Sequence, residues 1–386
     1  MQNLTNIDKT YVAGTYNRFP VEIISGKGCR FYDAGGKEYI DMGSGIGVNA
    51  FGAADDGIKA AVTEQLDKVQ HTSNLYYTEP CAKLAKLLCE KTEMKKVFFA
   101  NSGAEANECA IKVARKWAAE NKGADCFKII TLENSFHGRT ITTLAATGQE
   151  HYHKLFGPLT EGFIHTPAND LEALRKTVEE NKVAAIMFEC VQGEGGVIPL
   201  NADFVKEIET LSKKHNFLMI VDEVQTGNGR TGKMYGYMNF GIKPDIVSTA
   251  KGLGGGLPIG AALLGEKTEN VLGFGDHGST YGGNPICAAA AISVVNRLTD
   301  DFLNEVKAKS EYIFSEFKNA EGVESVSGMG LMVGIKSKKP AAEVVKAAIE
   351  KGVLCLTAKD KVRLLPPLNI PMEDLKKAVE IIKSCL

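Results

Sequence analysis

The sequence predicts an α/β protein with a large domain, built on a mostly parallel sheet flanked by helices, and a smaller α+β domain. From about Gly57 onward, short and nearly all-apolar runs alternate with amphipathic helices, which is typical of strands covered on both faces. Both chain ends instead mix short strands, turns and helices. A chain of 386 residues, 44% of them hydrophobic, is long enough for two such domains.

The elements are predicted in order along the chain. Three antiparallel strands come first, with a turn at residues 34–36, and they cover residues 21–25, 30–33 and 38–41. Six buried strands follow at residues 97–100, 127–132, 183–189, 217–222, 245–249 and 259–264. A helix over residues 285–298 leads to strands near 331–335 and 353–356 and a last helix near 372–385. We expect residues 1–49 and 295–386 to form the small domain and residues 50–294 the large one.

Composition argues against several classes of partner. The formal net charge is −2 and charged residues make up 24%, so the chain has no basic excess for nucleic acid or an anionic membrane. Residues 1–10 are polar, and no apolar run approaches the roughly 20 residues of a membrane helix. We therefore expect a cytoplasmic protein.

Cysteines and histidines give no sign of a metal site. The nine cysteines lie scattered without a C-x-x-C pair, and we expect them to be buried, reduced thiols, as at Cys109, Cys190 and Cys287. His151 and His153 have no cluster of cysteines or carboxylates beside them, so we expect no metal there.

Polar residues follow three of the predicted parallel strands, where an open sheet binds its ligands. After the first buried strand comes a small polar loop, NSGAEAN at residues 101–107, which leads into a helix. Free backbone N–H groups and the helix dipole suit a phosphate there, and Ser102 adds a hydroxyl. A plain helix cap would also explain Ser102.

The other two strand ends carry an acid and a lysine. Asp222 ends an apolar strand, so its carboxylate needs a cationic partner, such as a protonated pyridine nitrogen. Lys251 follows another strand and precedes a run of glycines, which leaves space around an amine suited to imine chemistry. Singly, the acid could be a cap or ion-pair member and the lysine a surface residue. Together with the phosphate loop they indicate one site.

Two glycine-rich stretches imitate nucleotide motifs. Residues 227–232 match G-x-G-x-x-G, but no amphipathic helix follows and no acid lies at a strand end about 20 residues on, which argues against a dinucleotide oxidoreductase. Residues 260–268 have the spacing of a P-loop, but Glu266 precedes Lys267 where glycine is required. A nucleoside triphosphatase is therefore not favoured.

With these motifs, the chain resembles the class III aminotransferases, which have fold type I of the pyridoxal-phosphate-dependent transferases, and within them the acetylornithine aminotransferase group. The resemblance covers nearly the whole chain. It rests on YNRFP (16–20), NSGAEAN (101–107), SFHGRT (135–140), QGEGG (192–196), DEVQTG (222–227), KGLGGGLPIGA (251–261), HGSTYGGNP (277–285) and RLLPP (363–367).

The resemblance implies pyridoxal 5′-phosphate (PLP) as the cofactor and Lys251 and Asp222 as the catalytic residues. Lys251 would hold the cofactor as an imine, and Asp222 would pair with the pyridinium nitrogen. The other cofactor-binding residues would be Ser102, Gly103 and Ala104 at the phosphate, Phe136 on the ring, Gln225 at the ring hydroxyl, and Thr280 at the phosphate of the neighbouring subunit. The active sites would then be shared within a homodimer.

The resemblance also implies the substrates. Arg139 would bind the α-carboxylate of N2-acetyl-L-ornithine, and Arg363 would bind that of glutamate, alternating with Glu194. Ser279 and Tyr16 are further expected substrate-binding residues. The δ-amino group would pass to 2-oxoglutarate, giving N-acetyl-L-glutamate 5-semialdehyde and L-glutamate, a step of arginine biosynthesis.

Several alternatives stay open. Succinylornithine, ornithine, 4-aminobutyrate and N-succinyl-diaminopimelate are other possible amine donors, and Arg363 and Glu194 could form a purely structural ion pair. A non-catalytic binding protein on the same fold is the remaining alternative outside the enzymes.

One segment departs from the family pattern. After residues 49–52 the family usually continues with a His and a His-Pro, whereas this chain has Ala-Ala-Asp-Asp-Gly at residues 53–57. We expect altered helix capping or subunit contacts there rather than lost chemistry.

Overall fold

The computed structural model describes residues 4–386, so residues 1–3 of the polar N-terminal stretch lie outside the described residues. The strands are β1 (Ile23–Lys27), β2 (Arg30–Asp33), β3 (Glu38–Asp41), β4 (Lys96–Ala100), β5 (Lys128–Leu132), β6 (Phe163–Thr166), β7 (Val183–Phe188), β8 (Val191–Gln192), β9 (Ile198–Pro199), β10 (Leu218–Asp222), β11 (Ile246–Thr249), β12 (Gly260–Leu264), β13 (Val323–Met329), β14 (Met332–Ser337), β15 (Val353–Leu354), β16 (Leu356–Ala358) and β17 (Lys361–Leu364). The helices are α1 (Leu4–Tyr11), α2 (Ser44–Gly47), α3 (Asp56–Leu66), α4 (Glu79–Thr92), α5 (Gly103–Lys122), α6 (Ile141–Ala146), α7 (Glu150–His153), α8 (Leu171–Glu179), α9 (Ala202–His215), α10 (Pro285–Arg297), α11 (Asp300–Lys318), α12 (Ala341–Glu350) and α13 (Met372–Lys383).

A seven-stranded sheet forms the centre of the large domain, in the order β4-β12-β11-β10-β7-β5-β6. All adjacent pairs are parallel except those of β12, which runs antiparallel to both neighbours. Strands β7, β10, β11 and β12 are buried along their whole length, because helices cover both faces. The mostly parallel sheet is thereby confirmed, and all six predicted strands are present to within one residue at each end.

The prediction missed one strand of this sheet. Strand β6 lies at the edge, pairs only with β5, and is partly exposed at three of its four positions. Its sequence, Phe-Ile-His-Thr, is therefore too short and too polar to stand out as an apolar run.

Both chain ends contribute to the smaller α+β domain. Strands β1, β2 and β3 form an antiparallel sheet, to which β15 from the C-terminal part adds a parallel strand beside β3. A second sheet has the order β13-β14-β17-β16. The predicted strand at 353–356 is divided because the chain passes from one sheet to the other at Cys355. The domain boundaries after residues 49 and 294 stay predictions.

The segment that departs from the family pattern caps a helix. Asp55 precedes α3, and its carboxylate accepts a hydrogen bond from the Ile58 N–H at 3.0 Å. The same carboxylate contacts two nitrogens of Arg297 at 2.9 and 3.0 Å, and that guanidinium lies 3.6 Å from the centre of the Phe51 ring. The segment therefore caps a helix, while a difference in capping from the rest of the family and altered subunit contacts stay predictions.

The cysteines are only partly as predicted. All nine are unpaired thiols, and six are buried, but Cys81, Cys89 and Cys287 are partly exposed. His153 Nε2 hydrogen-bonds the backbone carbonyl oxygens of Leu144 and Thr147 at 2.9 and 2.7 Å. Within residues 4–386, no group of three or more His, Cys, Asp or Glu side chains is placed to hold a metal ion. No helix in that range has the length and apolar character needed to cross a membrane.

Candidate active site

A cavity of about 440 Å³ lies at the carboxyl ends of the parallel strands of the central sheet. Its walls come from the segments that follow β4, β5, β7, β10 and β11, where an open α/β sheet binds ligands. Eight of the predicted site residues line it: Ser102, Gly103, Ala104, Phe136, Arg139, Asp222, Gln225 and Lys251.

The phosphate loop forms the beginning of α5. Ser102 caps this helix, since its hydroxyl accepts a hydrogen bond from the Glu105 N–H at 3.2 Å, and it lines the cavity as well. The N–H groups of Gly103 and Ala104 lie in the first turn, where an α-helix offers no internal acceptor. A Cβ on Gly103 would lie 2.6 Å from a methyl carbon of Val224, so only glycine fits. The loop thus presents backbone donors and the positive end of a 20-residue helix to the cavity.

Asp222 is held by three hydrogen bonds and is 3% exposed. Its Oδ2 accepts hydrogen bonds from His137 Nδ1–H and from the Asn107 side-chain amide, both at 2.8 Å. Its Oδ1 accepts from the Val224 N–H at 3.0 Å. The roles of His137 and Asn107 were missed in the sequence, although both lie in motifs of the family resemblance. A buried strand-end acid needs such donors nearby, and this requirement was the available signal.

Lys251 follows β11 and is the first residue of a 3₁₀ turn, with φ of +43°. The carbonyl of Ala250 accepts a hydrogen bond from the Asn228 side chain at 3.0 Å, which holds the peptide group that precedes Lys251. Burial lowers the pKa of Lys251 below its ordinary value, while the carboxylates of Glu194 and Asp222 act in the opposite direction. The cavity therefore favours the neutral amine more than water does.

Glu189 is a buried acid that the sequence interpretation did not select. It directly follows β7, and its carboxylate accepts hydrogen bonds from the N–H groups of Phe136 at 3.0 Å and Gly193 at 3.2 Å. Burial raises its pKa to about 7, with His137 lowering it and Asp222 raising it. The position of this acid at the end of an apolar run was the signal that could have identified it. It holds the backbone of the predicted ring-stacking residue against the cavity.

Arg363 and Glu194 form an ion pair beside the cavity. Arg363, on β17, is 3% exposed, and its Nη1 lies 2.5 Å from Glu194 Oε1 and 3.2 Å from Gln225 Oε1. The Gln225 amide donates to the same Glu194 oxygen at 3.3 Å. Burial acts to raise the pKa of Glu194, but the Arg363 guanidinium lowers it to below its ordinary value. Glu194 is therefore ionised at neutral pH.

Arg139 lies exposed at the rim of the cavity. Its guanidinium lies 4.1 Å from the centre of the Tyr152 ring and 5.4 Å from that of Phe136. No carboxylate of residues 4–386 is within ion-pairing distance of it. Arg139 is thus oriented by aromatic rings while its charge is available to a ligand. The contribution of Tyr152 was not predicted.

Three predicted residues lie away from the cavity within a single chain. Thr280 is exposed, and it lines a separate crevice with His71. Ser279 Oγ accepts a hydrogen bond from Asn101 at 3.1 Å, so it reaches the rim through a residue that lines the cavity. Tyr16 is 72% exposed and contacts the guanidinium of Arg18. The roles of these three residues stay predictions.

The cavity meets the chemical requirements of PLP. The start of α5 suits a phosphate, Asp222 suits a protonated pyridine nitrogen, Phe136 offers an aromatic face, and Lys251 offers an amine. His137 Nε2 and Asn107 Oδ1 lie buried without a hydrogen-bond partner in residues 4–386, so the wall behind Asp222 has further polar capacity. A fold of this type with these groups at its strand ends defines a PLP-dependent transferase.

Comparisons with known proteins lead to the same class. The family Aminotransferase class-III matches residues 11–386. The acetylornithine aminotransferase of Haemophilus ducreyi is 49% identical over 385 residues, which cover 99% of this chain and 98% of that protein. The chain belongs to the class-III aminotransferases and is a PLP-dependent transaminase.

Solved structures share the whole fold. The N-acetylornithine aminotransferase of Stenotrophomonas maltophilia has a TM-score of 0.85 and 33% identity, covering 98% of this chain and 97% of that one. The ornithine aminotransferase of Toxoplasma gondii has a TM-score of 0.94 and 31% identity, with 99% of this chain and 94% of that one covered.

Proposed function

We propose that this enzyme transfers the δ-amino group of N2-acetyl-L-ornithine to 2-oxoglutarate, yielding N-acetyl-L-glutamate 5-semialdehyde and L-glutamate, as a step of arginine biosynthesis. The observation that carries the proposal is the arrangement of two arginines: Arg139 lines the cavity, and Arg363 lies beside it, in contact with the lining residue Gln225. Arg139 has no ion-pair partner in residues 4–386, whereas Arg363 is paired with Glu194. The acetylornithine aminotransferases similar to this chain over nearly their full length support it.

The cofactor side of the cavity binds and orients PLP, which when bound supplies an electron sink for the carbon that carries the reacting amine. In this proposal the N–H groups of Gly103 and Ala104 and the Ser102 hydroxyl bind the phosphate. Asp222 would keep the ring nitrogen protonated, and Phe136 would offer its aromatic face to the ring. Gln225, which lines the same cavity, bonds the ring hydroxyl.

Lys251 has two roles in this proposal. It would hold the cofactor covalently through its side-chain nitrogen, and as a free amine it would accept a proton from the substrate carbon. Burial lowers the pKa of Lys251, which favours the neutral form that accepts this proton.

The substrate side distinguishes two substrates that present their amines differently. A substrate with a single carboxylate binds Arg139, and Glu194 then neutralises Arg363. When glutamate binds, its α-carboxylate replaces Glu194 on Arg363, because a guanidinium pairs as well with one carboxylate as with another. Arg363 and Glu194 are in short contact, but the Glu194 side chain is 25% exposed whereas that of Arg363 is 4% exposed. The more exposed Glu194 side chain is therefore the partner that such an exchange would displace.

We also propose that a second copy of the chain completes each site. Thr280 is exposed on a segment bound to its neighbours through Asn74, whose amide donates to the carbonyls of Ser279 and Gly282 at 3.0 Å. Large apolar side chains that follow Asn74 or lie near Thr280 in sequence are 60% exposed or more: Leu75, Tyr76, Tyr77, Phe274 and Tyr281. A homodimer would cover them and bring Thr280 to the phosphate of the other subunit.

Ornithine is the second candidate donor. The Toxoplasma gondii ornithine aminotransferase matches this fold with a TM-score of 0.94, against 0.85 for the Stenotrophomonas enzyme, so the fold does not separate the two activities. An unacylated ornithine would bring its α-ammonium group into the cavity, where the unpaired guanidinium of Arg139 is already a positive charge. This repulsion favours the acetylated donor.

An absorbance experiment tests the proposal. The purified holoenzyme is mixed with N-acetylornithine, ornithine or succinylornithine, each without a keto acid, and the visible band of the bound cofactor is followed. We expect the band to disappear fastest with N-acetylornithine and to return on addition of 2-oxoglutarate. A holoenzyme that responds only to another ω-amine would overturn the substrate assignment and leave the class intact.

A further inference from the structure

Arg230 is a buried arginine outside the cavity that the proposed function does not use. It belongs to the glycine-rich stretch 227–232 that imitates a dinucleotide motif, and it is 2% exposed. Its Nη1 donates hydrogen bonds to the carbonyls of Leu331 at 3.0 Å and Pro366 at 2.6 Å. Its own carbonyl accepts from the Leu331 N–H at 2.9 Å. Arg230 therefore joins the loop after β10 to two segments of the C-terminal part of the chain.

The burial of this cation is costly, because no carboxylate of residues 4–386 forms an ion pair with it. Burial lowers the pKa of Arg230 to about 9, and only the more distant carboxylate of Asp41 opposes this. Asp41 itself accepts hydrogen bonds from the N–H groups of Gly43 and Ser44, both at 2.8 Å. The buried guanidinium of Arg230 binds two backbone carbonyls despite this cost. The cost indicates that the position of those two carbonyls is important to the protein.

One of the two carbonyls is close in sequence to the second substrate arginine. Pro366 follows Arg363 by three residues and lies two residues beyond the end of β17. The loop that carries Arg230 also carries Gln225, whose side-chain oxygen accepts a hydrogen bond from Arg363 Nη1 at 3.2 Å. This loop therefore contacts the Arg363 segment twice, once at the guanidinium and once at the backbone.

We infer that Arg230 is a positioning residue that holds Arg363 in place against Glu194 and Gln225. Arg230 thereby sets the affinity for the α-carboxylate of glutamate and 2-oxoglutarate. The inference rests on the proposed function, in which Arg363 takes that carboxylate. Arg139 is positioned independently, since it lies on the segment after β5 and is held by Tyr152. Loss of the Arg230 contacts should therefore weaken the dicarboxylate substrate and leave the monocarboxylate amine donor nearly unaffected.

The test compares the Arg230→Met and Arg230→Lys variants with Lys309→Met as a matched control. Lys309 is also a buried cation that donates to a carbonyl of the same segment, that of Leu368 at 2.9 Å, but Leu368 is five residues from Arg363 in sequence, whereas Pro366 is three. Single-turnover measurements on the holoenzymes give separate dissociation constants for 2-oxoglutarate and N-acetylornithine. For Arg230→Met we expect about tenfold weaker 2-oxoglutarate binding and N-acetylornithine binding within about twofold of wild type.

Arg230→Lys should restore part of the 2-oxoglutarate affinity, and Lys309→Met should leave both constants within about twofold of wild type. Equal losses for both substrates, or no loss in a folded Arg230→Met enzyme, would overturn the inference. If Arg230→Met does not fold, the test uses the ratio of the two dissociation constants, for 2-oxoglutarate and N-acetylornithine, in Arg230→Lys. Failure of both variants to fold would show that Arg230 serves stability only and would overturn the inference. A wild-type enzyme that reacts with glutamate but not N-acetylornithine would overturn the proposed donor alone, and the comparison then uses the donor it accepts.

Discussion

The two sides of the active-site cavity are built differently. On the side proposed to bind the cofactor, Asp222 accepts three hydrogen bonds, and two of their donors, His137 and Asn107, are themselves buried. On the side proposed to bind the substrates, Arg139 is exposed and lies against aromatic rings, and Arg363 is held at its guanidinium by Glu194 and Gln225. One side is a network of buried contacts around a single carboxylate, whereas the other combines an arginine without an ion-pair partner in residues 4–386 with an ion pair whose carboxylate a ligand can replace.

This difference corresponds to two tasks. A cofactor that stays bound through every turnover gains from groups fixed before it arrives, because preorganised partners need no rearrangement during the reaction. A substrate side that receives two different molecules needs a contact that can be exchanged. We therefore expect substitutions on the cofactor side to abolish turnover for both substrates, and substitutions on the substrate side to change their ratio.

The largest effect is expected for Lys251→Ala. Loss of the amine that accepts the proton should lower the turnover number about ten-thousandfold in both half-reactions, since no other lysine lines the cavity among the described residues. Rapid-mixing kinetics of each half-reaction measure it. Lys361→Ala is the control, because Lys361 is another partly buried lysine with a pKa lowered by burial. A Lys251→Ala enzyme that cycles both half-reactions near the wild-type rate would refute its assignment.

Asp222→Asn should have the next largest effect. The amide keeps the shape of the side chain but cannot stabilise a protonated ring nitrogen, so turnover should fall about a hundredfold to a thousandfold for both substrates. Glu223→Gln is the matched control, because Glu223 is an adjacent buried acid bound to Thr226 and to backbone N–H groups. Steady-state kinetics and a cofactor titration distinguish the two variants. Equal losses in both would show that Asp222 acts only through folding.

Glu194→Gln should change the substrate ratio instead of abolishing turnover. Without the Glu194 charge, Arg363 is left unneutralised when a monocarboxylate donor binds, so kcat/KM for N-acetylornithine should fall about tenfold. The value for glutamate should stay within about twofold, because its own carboxylate binds Arg363. The ratio of the two kcat/KM values is the measurement. An unchanged ratio would mean that the two residues form only a structural ion pair.

The sequence predicted the central sheet better than the surroundings of the site. The buried strands were predictable because their apolar runs reflect burial on both faces, and Asp222 and Lys251 were found because they interrupt such runs at strand ends. The direction of β12 was not predictable, since parallel and antiparallel buried strands have the same composition.

Contacts between distant segments were also beyond the sequence pattern. Glu189, Tyr152 and Arg230 act through groups far away along the chain, and no local periodicity reports such pairs. The pairing of Arg363 with Glu194 was expected only from the family resemblance. Its geometry depends on how the β17 sheet lies against the loop after β10.

Asp55→Ala should have the smallest effect on turnover and should separate stability from chemistry. Asp55 caps α3 and pairs with Arg297, so its loss should lower the free energy of unfolding by about 1–2 kcal/mol while kcat stays within about twofold. Burial acts to raise the pKa of Asp55, but Arg297 and the cap lower it below the ordinary value of 3.8. The stabilisation is therefore present at neutral pH and is lost as the pH falls below that value. Urea unfolding of the wild type and the variant at pH 7 and at pH 3 measures the difference.

Asp56→Ala is the control for Asp55→Ala, because that neighbouring acid is 85% exposed and its loss should change the free energy of unfolding little. A tenfold loss of turnover in Asp55→Ala alone would place the segment that departs from the family pattern within the catalytic machinery, and the contrast between the two sides of the cavity would then be incomplete.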